Sequence, residues 1–354
     1  MKLFTIGPTE MYPTTKNIRQ EDIPYFRTDD FSSDMMQLDS LLKKNVGTDN
    51  SSNTVYLTAS GTAAMEAVII NCFDSNDNLL VICGGTFGSR FKELCLLYKI
   101  PHDTIELEHD EQLTQDHLDK YSDHGYTALM VNLHETSTGQ LYDINILKDF
   151  CARKDMYLMV DAISTFLCDN YKMDNWGIDA TIISTQKGLC VTPGMSMIVI
   201  NKRLSERIRK RPKSCMYFDF KDYFDNIKRG QTPFTPAVGI VYEVLDMLKF
   251  IEENGLDNHL KHISDLAETY REHIVDDGIY FPSFKKSNAI TTTCFAKPIA
   301  NEMYRALKDE HGFCVNPSGG EIGKSSFRVS HVGALTNSDM IDLAQLIKAL
   351  YHNY

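Results

Sequence analysis

The chain should fold as an α/β protein: a mainly parallel sheet covered by helices on both faces, followed by a smaller C-terminal α+β unit. Three observations point there. Short apolar runs alternate with amphipathic stretches up to about residue 200, which is how strands buried on both faces read. Small or polar residues follow most of these runs, where open α/β sheets carry their ligand loops. Beyond residue 250 the pattern shifts to longer helical stretches flanking two short strands, a separate layer arrangement. At 354 residues and 43% hydrophobic, the chain is long enough for a large and a small domain, each with its own core. The expected division is an N-terminal segment (1–20), a large domain (21–245) and a small domain (246–354).

Taken in order, the strand candidates are TVYL (54–57), LLVIC (79–83), ALMVNL (128–133), YLMVDA (157–162), ATIIS (180–184) and SMIVI (196–200). Helices are expected to start near Gly61, Thr86, Asp143 and Lys202. SMIVI follows ATIIS with only a loop between them, too short for a helical crossover, so one should run antiparallel to the other. Val238, Val241, Leu245, Leu248 and Ile251 share one helical face, which predicts a helix from Ala237 to Asn254 with Gly255 as its stop. Further helices are expected near 258–275, 299–311 and 337–352, around the short strands AITTTCF and SSFRVS.

Composition excludes several classes. A formal net charge of −12 argues against a nucleic-acid surface, which needs cations to neutralise phosphates. The stretch KRLSERIRKRPK (202–213) reads as a solvated helix face. Nine cysteines with no CxxC suggest reduced thiols in a cytoplasmic protein, with neither a disulfide framework nor a metal site. MKLFTIGPTEMYP lacks an apolar export core and no apolar run is of spanning length, so neither export nor a membrane segment is expected.

The chemistry centres on Lys187 in TIISTQKGL and Asp161 in YLMVDAIST, each at the end of an apolar run. An amine and a carboxylate at neighbouring strand ends are what pyridoxal phosphate requires: the amine forms a Schiff base and the carboxylate keeps the pyridine nitrogen protonated. Taken alone, Lys187 reads first as a surface lysine in a turn and Asp161 as a helix cap. Ala59-Ser60-Gly61-Thr62 follows a strand and opens a helix, placed either to hold a phosphate or simply to cap. In GGTFGSR (84–90), Phe87 lies either over a planar cofactor or in the core. HETSTG (134–139) offers Thr136 to a cofactor oxygen or to the lysine, while His134 and Glu135 either share that work or only fix the loop. Arg328 in SSFRVS can grip a carboxylate with two parallel hydrogen bonds, a surface salt bridge being the competing account.

Together these segments resemble the class V aminotransferases among the fold-type I pyridoxal phosphate enzymes, closest to the alanine–glyoxylate, serine–pyruvate and 2-aminoethylphosphonate–pyruvate group. The resemblance covers nearly the whole chain: LFTIGPTEMYP, ASGTAAMEA, GGTFGSR, HETSTG, VDAIST, STQKG with TPG, GQTPFTP and FRVSHVG occur in the family's order. It implies a three-layer fold with Lys187 as the Schiff-base lysine and Asp161 as the pyridinium partner. Phe87 and Ile163 would pack on the two ring faces, Thr136 would contact the ring oxygen, and Ser60, Gly61, Thr62 and Gln186 would bind phosphate. Arg328 would bind the substrate carboxylate. Thr232 would reach the phosphate of a neighbouring subunit, making the active unit a homodimer. IPYFRTDDFS resembles the group's HRxxEF stretch, making Arg27 either a second anion site or an exposed loop arginine. Two departures put the substrate in doubt: Ile6 stands where proline usually precedes Gly7-Pro8, and Phe87 where tryptophan or tyrosine is common.

The implied reaction is transfer of an amino group from alanine, serine or 2-aminoethylphosphonate to pyruvate or glyoxylate. The alternative is a cysteine desulfurase or lyase of the same superfamily, but those enzymes place histidine before the lysine and on the ring face, where this chain has Gln186 and Phe87. A dinucleotide enzyme is disfavoured because no GxGxxG follows a strand and no GxxxxGK[ST] occurs.

Overall fold

The computed structural model describes residues 1–354, and its centre is a seven-stranded sheet. From one edge to the other the strands are Asn53–Leu57, Ser196–Ile200, Ala180–Ser184, Tyr157–Asp161, Ala128–Asn132, Leu79–Cys83 and His102–Glu106. Six strands run the same way. Ser196–Ile200 alone is antiparallel to both its neighbours, as its short connection to Ala180–Ser184 demands. Both faces are buried, and alternation along one strand shows it. Leu80 and Ile82 enter one core, while Leu79, Val81 and Cys83 enter the other.

The consequence for function is that the parallel strands all end at one edge. Asn132 is in register with Asp161, and Asp161 with Ile182. The loops after Leu57, Cys83, Asn132, Asp161 and Ser184 therefore gather in one place. Three helices begin directly from such loops or close behind them: Gly61–Cys72, Thr86–Leu97 and Ile144–Lys154.

A second, five-stranded sheet has the order Lys2–Phe4, Phe313–Pro317, Ser326–Ser330, Ile290–Phe295, Ile279–Tyr280. The helices Leu256–Ile274, Ala300–Asp309 and Asn337–Asn353 accompany it, with Val238–Asn254 leading in. The N-terminal segment is thus not separate from the small unit, because Lys2–Phe4 pairs in parallel with Phe313–Val315. A small cluster of Ile6, Cys168, Cys190, Ile263, Ala289, Ile290 and Val332 stitches this unit to the loops behind the large sheet.

Some elements carry more than the sequence reading assigned them. The segment after Arg27 is an 18-residue helix, Asp29–Val46, capped by the Thr28 side chain and stopped by left-handed Gly47. The basic stretch forms the helix Lys202–Lys210, yet its arginines are not only solvated. Arg207 donates to the Cys72 carbonyl at 2.9 Å and pairs with Asp77, and Arg211 pairs with Asp74 at 3.0 Å. None of the nine cysteines is disulfide-bonded, and no helix is long and apolar enough to cross a membrane.

Candidate active site

Lys187 lies three residues beyond the end of the Ala180–Ser184 strand and is buried. The chain turns away immediately after it, and only glycine fits there: a Cβ on Gly188 would sit 2.1 Å from the Phe166 carbonyl oxygen. Burial holds the Lys187 amine down at about 8, opposed by the nearby Asp161 carboxylate. Asp161 ends the adjacent strand and accepts a hydrogen bond from the Ile163 amide at 2.8 Å. Burial lifts its carboxyl to about 6, against the pull of that amide and of Lys187. The amine and carboxylate influence each other but form no salt bridge, so space separates them.

That space is a cavity of about 100 Å³ lined by 12 residues. Nine of them are ones the sequence singled out: Ser60, Gly61, Thr62, Phe87, Thr136, Asp161, Ile163, Gln186 and Lys187. The remaining three, Met65, Arg90 and Ser164, went unread. Arg90 stands in the GGTFGSR motif itself, three residues after Phe87, and that helical spacing was the available signal.

Each wall has a local cause. The Gly61–Cys72 helix starts at the cavity, and the amides of Gly61 and Thr62 in its first turn bond no carbonyl. Gly61 is small because a Cβ there would meet Ile163 Cδ1 at 2.3 Å. Opposite, Phe87 sits in the first turn of Thr86–Leu97 with its ring centroid 5.4 Å from Lys187 Nζ. Glu135 holds that turn. It is fully buried and accepts from the Gly88 amide at 2.9 Å and the Asn132 side-chain amide at 2.7 Å, with a longer bond from the Phe87 amide at 3.4 Å. Gly85 makes room for it, since a Cβ there would stand 2.6 Å from Glu135 Cδ.

Thr136 Oγ1 meets Ser164 Oγ at 2.5 Å, and the Thr136 carbonyl accepts from Arg328 Nη1 at 2.5 Å. Arg328 also donates from Nη2 to the Pro317 carbonyl at 2.7 Å, while its buried Nε–H has no partner in the protein. It stands beside the cavity rather than in its wall. His134 is buried behind it, with Nδ1 3.2 Å from the Ser164 carbonyl, and burial holds its ring neutral down to about pH 3.

Two of the singled-out residues lie elsewhere. Arg27 donates to Gln231 Oε1 at 2.9 Å and to the Thr232 carbonyl at 3.0 Å. Thr232 Oγ1 is turned to the Phe234 carbonyl at 2.6 Å. Neither lines the Lys187 cavity. A larger groove of about 730 Å³, lined by Thr192 and by residues drawn from the segments 18–24 and 237–249, is also separate from it. Size does not decide between the two, because only the smaller cavity brings a buried amine and a buried carboxylate together at strand ends.

A two-layered site of this kind can hold a flat ring between Phe87 and Ile163 and an anion at the start of the Gly61–Cys72 helix. Known proteins resemble the chain over nearly its whole length. The chain is 29% identical over 352 residues to an uncharacterized aminotransferase of Methanocaldococcus jannaschii, covering 96% of this chain and 90% of that protein. It is 28% identical over 367 residues to a 2-aminoethylphosphonate–pyruvate transaminase of Bacteroides fragilis, covering 98% of both. Among solved structures, an alanine–glyoxylate aminotransferase from Nostoc sp. shares the fold at a TM-score of 0.92, with 23% identity and 98% and 94% coverage of the two chains. The sequence model of the family described as aminotransferase class-V matches residues 26–336, and the chain belongs to the class V aminotransferases.

Proposed function

We propose that this aminotransferase binds pyridoxal 5'-phosphate at Lys187 and moves an amino group from a small donor, alanine, serine or 2-aminoethylphosphonate, to pyruvate or glyoxylate. The observation that carries this reading is the buried Lys187 amine and Asp161 carboxylate facing one cavity without touching. The residues present suit the cofactor: a nucleophilic amine, a carboxylate for a ring nitrogen, an apolar residue for each ring face, and a helix start for a phosphate. When bound, the group supplies an aldehyde that exchanges amines and a protonated ring that withdraws electrons.

The protein's own part follows from position. Asp161 holds a proton at the ring nitrogen, which stabilises the carboxylate that burial otherwise disfavours. Lys187 Nζ, with its affinity for protons lowered, takes the proton from the substrate carbon that bears the amine. Phe87 and Ile163 clamp the ring and keep water off its faces. Arg328, whose Nε–H lacks a partner, orients the acid group of donor and acceptor alike. In line with the family resemblance, we place Thr232 at the phosphate of a partner subunit, so that the active unit is a homodimer.

The test is spectroscopic. Purified protein titrated with pyridoxal phosphate should develop visible absorbance, and Lys187→Ala should not. Adding each donor in turn should bleach the band for the true substrate, and pyruvate or glyoxylate should restore it. A spectrum indifferent to pyridoxal phosphate, or an unchanged band and normal turnover in Lys187→Ala, would overturn the proposal.

A further inference from the structure

We propose that Arg90 supplies the positive charge that balances the cofactor's phosphate and so sets the preference for the phosphorylated cofactor; this rests on the pyridoxal phosphate reading above. The residues assigned to the phosphate, Ser60, Gly61, Thr62, Gln186 and Thr232, are all neutral. A phosphate monoester carries about −1.5 to −2 charges at neutral pH, and a helix N-terminus offers only about half a positive charge. A dianion held by these groups alone lacks a counter-charge. The cavity wall contains two cations, Lys187 and Arg90, and Lys187 is committed to the aldehyde.

Arg90 is held at the right end of the cavity. Its Nη1 donates to Thr62 Oγ1 at 2.9 Å, at the start of the Gly61–Cys72 helix. Its guanidinium carbon lies 4.7 Å from the centroid of Phe87, one helical turn earlier, which steadies the side chain by a cation–π contact. Both direct partners, a hydroxyl and a ring, are uncharged, and Arg90 forms no salt bridge; Asp161, across the cavity, feels its charge without pairing with it. A guanidinium has five N–H donors, which leaves several for phosphate oxygens.

The competing account is mechanical: Arg90 merely braces Phe87 against the neighbouring helix. Pyridoxal, which has the ring and aldehyde but no phosphate, separates the two. Dissociation constants for pyridoxal phosphate and for pyridoxal, measured by absorbance on wild type, Arg90→Met and Arg90→Lys, should show a loss confined to the phosphorylated ligand. Arg90→Met should weaken pyridoxal phosphate at least about tenfold, as expected for a lost hydrogen bond to a charged group, and leave pyridoxal unchanged. Arg90→Lys should recover much of the loss. Equal weakening of both ligands would show a brace and overturn the proposal, as would no weakening at all. Should Arg90→Met fail to fold, Arg90→Gln serves in its place. Wild type that binds neither ligand would instead sink the cofactor reading itself, so the two failures are distinguishable.

Discussion

At the scale of single residues, Asp161 shows how function is set against stability. Burial raises its carboxyl to about 6 from the ordinary 3.8, so without a cofactor the ionised form is less favourable in the folded protein than in the unfolded chain. The folded state then binds the proton more tightly than the unfolded state. The associated stability is fully present below pH 3.8 and is lost as pH rises through about 6, at a cost of up to about 3 kcal/mol. Asp161→Asn keeps an oxygen for the Ile163 amide and removes the charge. Denaturant melts of the cofactor-free protein at pH 7.5 should therefore find Asp161→Asn at least as stable as wild type, the gap closing toward pH 4. A clear loss of stability at pH 7.5 would mean that Lys187 more than compensates the buried carboxylate. Residues of this kind were legible in the sequence because each follows an apolar run, and a strand end is where a side chain is delivered to a ligand. For Arg90 the spacing from Phe87 signals only that the two share a helix face; the charge balance proposed for it emerges when the neutral residues around it are assembled.

At the scale of elements, what was legible depended on burial on two sides. Strands packed on both faces are continuous apolar runs and stood out, whereas His102–Glu106 is an edge strand with only Ile105 buried, and its sequence HDTIE carries no run to read. The three-residue strand Lys2–Phe4 was too short to signal. Helix Asp29–Val46 does carry a helical signal, with Phe31, Met35, Leu38, Leu42 and Val46 on one buried face, but polar residues between them break every apolar run. The element that matters most for chemistry is Thr86–Leu97, because its N-terminus aims Phe87. That end has no side-chain cap of its own; Glu135 acts instead from the short strand His134–Glu135 beside it. Glu135→Ala removes the acceptor of the Gly88 amide and of the Asn132 side-chain amide, and also that of the Ser137 amide and hydroxyl, which both donate to Glu135 Oε1. The expected loss is about 1–3 kcal/mol, read as a lower denaturation midpoint together with faster hydrogen exchange at residues 86–88. Unchanged exchange there would show that the turn holds itself.

At the scale of the whole molecule, the position of Thr232 bears on the proposal that the site is shared between two copies. Within one chain it is fastened beside Arg27, outside the Lys187 cavity, and the proposal is that it serves the phosphate of a different copy. The nearby groove lined by Ile18, Ile23, Pro24, Val238 and Ile240 includes Ile23, which is 70% exposed, and it offers apolar surface for that copy to cover. If the site is shared, sedimentation should give twice the 40.3 kDa chain mass, and mixed dimers should complement in a diagnostic way. Lys187→Ala destroys the site on its own chain, and Thr232→Val weakens the phosphate contact in the site it serves. A dimer of one Lys187→Ala chain and one Thr232→Val chain, isolated with two different tags, has one live lysine. With sharing, that lysine is served by the unaltered Thr232 of the other chain, and the live site should bind pyridoxal phosphate as wild type does. Without sharing, it is served by valine on its own chain and should bind as weakly as the Thr232→Val homodimer. Placing both substitutions on one chain against a wild-type partner reverses the expectation, since the live lysine then meets the valine. Wild-type affinity in that second pairing, and weak affinity in the first, would show that Thr232 acts on its own chain after a rearrangement of the 231–234 segment.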